Sequence, residues 1–116
     1  MIEYRQLTQA ISGNLARLYK TQAGVMKGFG DLSKAAMAGG ALDPKTKELI
    51  ALAVGVAARC DGCIGFHAKA LARLGATTEE VHEALGVAIY MGGGPVAMYA
   101  ANAVAAFDEF AAPANA

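Results

Sequence analysis

The sequence has no tryptophan, only two cysteines and three prolines, and few charges for its 116 residues: ten Lys plus Arg against ten Asp plus Glu, 17% in all. Balanced charge and singly scattered cations leave no basic stripe. That argues against nucleic-acid binding and against a polybasic membrane patch. Two cysteines so close together do not make a disulfide scaffold; their spacing points to redox chemistry or a metal. Residues Met1 to Leu7 lack the long apolar stretch and cleavage site of a secretory signal, so a cytoplasmic protein is expected. No alternating apolar and polar run announces a strand, and no repeat or long linker divides the chain. The expectation is one all-α domain over 1–116.

What is present is apolar. Hydrophobic residues make up 55% of the chain, against roughly 45–50% in ordinary soluble domains. Much of this is alanine, which packs helices closely. A chain this small cannot hide so much apolar surface alone, so a helical protomer that buries a second face against copies of itself is expected. Ala84 to Phe107 carries no charge and is long enough to span a bilayer, which takes about 20 residues. Gly92-Gly93-Gly94-Pro95 interrupts it, however, and small residues dominate it. Two buried helices joined by a tight turn explain it better than a membrane span.

Helical spacing divides the chain into six segments. Leu7 to Thr21 carries Leu7, Ile11, Leu15 and Leu18 at helical intervals, and Val25 to Ala38 carries Met26, Phe29, Leu32 and Met37 before Gly39-Gly40 ends it. Asp43 as cap and Pro44 in the first turn open a helix to about Ala58, with Leu49, Leu52, Ala53 and Val56 on one face. A fourth segment starts near Asp61 or Gly62 and stops at Gly75. Thr77 with Glu80 forms a capping-box pattern for a fifth, to about Met91. The sixth runs from Pro95 to Phe110, and the tail 111–116 is expected to fray. Met26, Met37, Met91 and Met98 are read as core fillers, and Tyr90 and Tyr99 as pocket or interface residues.

The chemistry concentrates at Cys60-Asp61-Gly62-Cys63. A Cys-x-x-Cys pair at a helix start brings two sulfurs within bridging reach, where backbone N–H groups and the helix dipole favour the thiolate. His67 lies four residues beyond Cys63 on the same helix face. Its imidazole can take a thiol proton or stabilise a thiolate. Glu48 is the natural carboxylate partner that would fix the histidine tautomer. On an antiparallel helix pair its level differs from that of His67 by about one turn. The helix start favours Cys60 as the reacting thiol, and the spacing to His67 favours Cys63. Zinc is a rival reading, but Cys60, Cys63 and His67 make three ligands where a closed site needs four. Only His82 and the sequence-adjacent Asp61 remain as candidates. The glycines of Gly28-Phe29-Gly30 and Gly92-Gly93-Gly94 do not continue into a phosphate or dinucleotide loop.

Glu48, eleven residues, Cys60, two residues, Cys63, three residues, His67 resembles the AhpD-like alkylhydroperoxidases of the carboxymuconolactone decarboxylase superfamily. The likeness is greatest over Pro44 to His67 and extends from about Val25 to Phe107. It implies an all-helical protomer assembled as a homotrimer or homohexamer, with thiol-dependent peroxidase activity and neither metal nor organic cofactor. By the same resemblance Cys63 is the thiol that attacks the hydroperoxide, Cys60 resolves the sulfenic acid as a disulfide, and His67 with Glu48 relays protons. An external thiol reductant, a lipoylated or thioredoxin-like protein, would restore the dithiol. Gly62 stands where the well-studied peroxidases of the group carry a histidine. The decarboxylase branch lacks the cysteine pair, so lactone decarboxylation is not implied. Disulfide exchange without peroxide turnover, and a non-catalytic zinc- or ligand-binding protein, are the alternative readings.

Overall fold

A computed structural model describes residues 1–112. Six helices follow one another in chain order: α1 Tyr4–Thr21, α2 Ala23–Met37, α3 Pro44–Ala57, α4 Asp61–Arg73, α5 Thr78–Gly92 and α6 Gly94–Ala111. All six match the segments expected from sequence, with ends moved by at most three residues, and the architecture is all-α. The cap signals hold in detail. Asp43 accepts the Thr46 N–H at 2.7 Å at the start of α3. Thr77 and Glu80 form a reciprocal capping box on α5. Among the described residues no helix is long and apolar enough to cross a membrane. The uncharged stretch divides at Gly93, whose φ of +75° suits glycine, into α5 and α6.

The core is formed by α3, α4, α5 and α6. Leu52 and Val56 from α3 meet Ile64, Ala68 and Leu71 from α4, Val81 and Leu85 from α5, and Ala103 and Phe107 from α6. Alanine faces let these four helices lie close. The remaining two are peripheral. From α1 the residues that reach the interior are Tyr4 and Thr8, while Leu18 is exposed. The leucine spacing therefore named the helix correctly but missed its buried face. A Cβ on Gly65 would lie 2.7 Å from Thr8 Cγ2, so the missing side chain is what lets α1 settle on α4 there. The α1 N-terminus has no capping side chain of its own. Glu109 of α6 supplies the cap instead, accepting the Tyr4 and Arg5 N–H groups at 2.9 Å each.

No residue of α2 is buried. Phe29 and Leu32, apolar positions of its helical pattern, are 64% and 63% exposed. The helix is held at its C-terminus by Lys47, whose ammonium donates to the carbonyls of Ala36 and Ala38. Met91 and Met98 are also exposed rather than core residues. The buried positions of α5 and α6 are held by Val81, Leu85, Ala88, Val96, Ala100, Ala103, Ala106 and Phe107, and these methionines lie on the outward faces. At the end of α6, Arg5 donates to the carbonyls of Glu109 and Ala112. Residues 113–116 of the expected frayed tail lie outside the described residues.

Candidate functional site

The site is built where α3 turns into α4. Only Ala58, Arg59 and Cys60 separate the two helices. The turn is a Schellman motif, with the Cys60 N–H donating to the Gly55 carbonyl and the Arg59 N–H to that of Val56. Arg59 takes the left-handed position, at φ +58°. The same motif ends α4, with Gly75 in that position at φ +76°. Cys60 thus finishes one helix and begins the next. Its backbone N–H satisfies α3, and its Sγ accepts the Cys63 N–H at 3.2 Å as the N-cap of α4. This places Cys60 and Cys63 in the first turn of α4, with Cα atoms 5.2 Å apart and a disulfide between them.

Close packing of α3 on α4 brings the acid–base pair together. A Cβ on Gly55 would lie 3.0 Å from Cβ of Cys63, so only glycine admits this approach without displacement. One turn beyond the cysteines, His67 Nδ1 lies 2.6 Å from Glu48 Oε2. Glu48 is the more buried partner, at 14% side-chain exposure against 31% for His67. With Nδ1–H donating to the carboxylate, Nε2 is the ring nitrogen left to accept a proton. The one-turn offset expected from helix arithmetic is closed at the side chains, whose polar atoms meet at 2.6 Å.

A cleft of about 580 Å³ opens beside the sulfurs, between α1, α2 and the start of α4. Cys60, Gly62, Cys63 and His67 line one side; Ile11 and Leu15 from α1, Phe29 and Ser33 from α2, and Phe66 line the rest. The walls are predominantly apolar. A Cβ on Gly62 would lie 2.9 Å from Ile11 Cδ1, so the isoleucine occupies the space into which a side chain at 62 would project. The wall residues were not found from the sequence as site residues. Ile11, Leu15 and Phe29 carried the same helical spacing as core positions, and Ser33 carried no signal. His82 does not join the site; it lines a separate, shallow groove between α5 and α6 with Leu85, Gly86 and Ala100. Among the described residues no group of three or more His, Cys, Asp or Glu side chains gathers as a metal-ligand set.

Known proteins share this arrangement of helices. A carboxymuconolactone decarboxylase family protein from Legionella pneumophila is 52% identical, with a TM-score of 0.93 over 94% of this chain and 97% of that one. A protein of the same family from Thermotoga maritima, whose description raises involvement in an antioxidative response, is 33% identical, with a TM-score of 0.79 over 88% and 87% of the two chains. A Cupriavidus necator protein is 43% identical over 98 residues, 84% of this chain and 87% of its own. Residues 23–106 match the Carboxymuconolactone decarboxylase family as a whole. The chain therefore belongs to the carboxymuconolactone decarboxylase family, of the superfamily that also holds the AhpD-like proteins.

Proposed function

We propose that this protein is a thiol-dependent peroxidase that reduces organic hydroperoxides through Cys63 and Cys60, with His67 and Glu48 as its proton relay. The observation that carries the reading is the convergence of a bridgeable cysteine pair and a carboxylate-oriented histidine on one apolar cleft. In the dithiol, His67 takes the Cys63 proton and Glu48 stabilises the imidazolium that results. The Cys63 thiolate attacks the terminal oxygen of the hydroperoxide, the O–O bond breaks, and Cys63 becomes a sulfenic acid. His67 returns the proton to the departing alkoxide, which leaves as an alcohol. Cys60 then attacks the Cys63 sulfur and expels water, forming the disulfide. An external dithiol, such as a lipoylated or thioredoxin-like protein, reduces it again by exchange. The apolar walls suit an alkyl or aryl substituent better than hydrogen peroxide.

The exposed apolar side chains of α2, with Val54 of α3 and Tyr90 of α5 at 61% and 85% exposure, support assembly into trimers or hexamers. Sedimentation equilibrium would read the mass directly, and a single-protomer mass at micromolar concentration would sink that part. Such a dithiol cycle belongs in a compartment that supplies thiol reductants, which fits the cytoplasm.

The decisive experiment is intact-mass analysis of the reduced protein after one equivalent of cumene hydroperoxide, for wild type, Cys60→Ser and Cys63→Ser. Wild type should lose two hydrogens rapidly. Cys60→Ser should accumulate a dimedone-trappable sulfenic acid, and Cys63→Ser should react no faster than a free thiol. Wild-type oxidation at the free-thiol rate would overturn the peroxidase reading. It would leave disulfide exchange, which the capping of α4 by Cys60 Sγ favours.

A further inference from the structure

Asp61, the residue between the cysteines that the peroxidase reading leaves idle, has a buried oxygen with an unmet bonding requirement. Its Oδ1 has no hydrogen-bond partner among the described residues. Among the described residues one other buried side-chain atom shares that condition, the phenolic oxygen of Tyr4, on a residue only 1% exposed. Buried polar atoms without partners are rare in folded proteins, and each calls for a cause. These two are complementary, since a phenol donates and a carboxylate accepts.

They also share one place in the fold. The Tyr4 ring lies against Gly65, where a Cβ would be 3.3 Å from Tyr4 Cδ1. Gly65 is four residues beyond Asp61, so both occupy one face of α4, one turn apart. Glu109, which caps α1 through the Tyr4 N–H, is a further charge at this junction, and Tyr99 of α6 a further phenol. Burial first, and then the Asp61 carboxylate, followed by Glu109 and Tyr99, push the Tyr4 phenol above its ordinary range. It therefore remains a donor at neutral pH.

We propose that the Tyr4 phenol is the buried donor that serves the Asp61 carboxylate, and that this link makes Asp61 a positioning residue that sets the redox equilibrium of the Cys60–Cys63 pair. The inference rests on the redox reading of that pair but not on peroxide turnover. A carboxylate in the first turn of α4, next to Cys60, opposes ionisation of either thiol and so favours the disulfide over the dithiolate-prone reduced form. The donor reaching Asp61 from Tyr4 spreads part of that charge and weakens the opposition. Tyr4 acts on the sulfurs only through Asp61.

The test is the equilibrium of the full-length protein with glutathione at pH 7: reduced protein plus one glutathione disulfide gives the Cys60–Cys63 disulfide plus two glutathione thiols. The constant is measured by alkylation and mass for wild type, Asp61→Asn, Tyr4→Phe and the double variant. Asp61→Asn should lower the constant about tenfold, equivalent to about 30 mV toward a more oxidising couple. Tyr4→Phe should raise it about threefold in the wild-type background and leave it unchanged in the Asp61→Asn background. Far-UV circular dichroism and a melt confirm that each variant is folded. A Tyr4→Phe effect of equal size in both backgrounds, or an unmoved constant in Asp61→Asn, overturns the proposal. A wild-type protein that reaches equilibrium with glutathione yet ignores peroxide would sink only the peroxidase reading. One that never exchanges with glutathione would sink the redox reading and this inference together.

Discussion

Cβ of Cys63 lies 3.0 Å from the point at which a side chain at Gly55 would begin. The closeness of α3 and α4 at this point sets the reach between Glu48 and His67 further along the same helix pair. A side chain inserted at 55 must push the helices apart beside the sulfurs.

Gly55→Val should therefore lower stability by about 1–3 kcal/mol through overpacking. Cys63 oxidation should slow as well, because the relay is pulled out of register. Urea denaturation and stopped-flow peroxide kinetics measure the two effects. An unchanged midpoint would mean that the helices separate at little cost.

Glu48→Gln keeps the size of the side chain but removes its charge from His67 Nδ1. Peroxide oxidation of Cys63 should slow by at least about tenfold, within the effect of a positioned acid–base group, which contributes roughly 10²–10⁴. The circular dichroism spectrum should not change. Kinetics at wild-type rate would remove Glu48 from the relay.

Arg59 holds the left-handed position of the Schellman turn before Cys60. That conformation costs a residue with a Cβ about 1–2 kcal/mol, while glycine adds unfolded-state entropy of roughly 0.5–1 kcal/mol. Arg59→Gly should leave the protein equally stable or up to about 1.5 kcal/mol more stable by denaturant titration. A clear loss would show that the arginine side chain itself supports the turn.

Acid should remove part of the anchoring of α3 and α5. Hydrogen bonding to Thr46, through its side chain and then its backbone, holds the Asp43 carboxyl below its ordinary range. The hydrogen bond from Lys45, followed by the Thr77 N–H, does the same for Glu80. Both groups release their protons more readily in the folded chain. Their stabilisation is thus complete above the unfolded carboxylate values of about 4 and disappears as pH falls through the lower folded values. Melting temperatures from pH 6 to pH 2 should show wild type converging on an Asp43→Asn, Glu80→Gln double variant. A gap that stays constant down to pH 2 would contradict the assignment.

The sequence by itself determined the helices and singled out the candidate site residues. Asp43 with Pro44, Thr77 with Glu80, and the glycines at 75 and 92–94 act through the local backbone, so their effect is legible without knowing what lies across the fold. The Cys-x-x-Cys pair and His67 are likewise tied by helical spacing within one element. Tertiary structure decided which faces are buried and what surrounds the sulfurs. Apolar spacing on α1 and α2 is the same whether a helix fills a core, lines a cleft or awaits a partner, because periodicity records a face and not what covers it. Met91 and Met98 were read as core and lie exposed, and the cleft walls of Ile11, Leu15, Phe29 and Ser33 could not be seen. Glu48 lies between these cases. Its spacing marked it as a candidate, but only the contact permitted by Gly55 brings it to His67. Likewise, only the packing of α1 over Gly65 sets Tyr4 against α4 one turn from Asp61, a neighbourhood of residues 57 positions apart that no local pattern encodes.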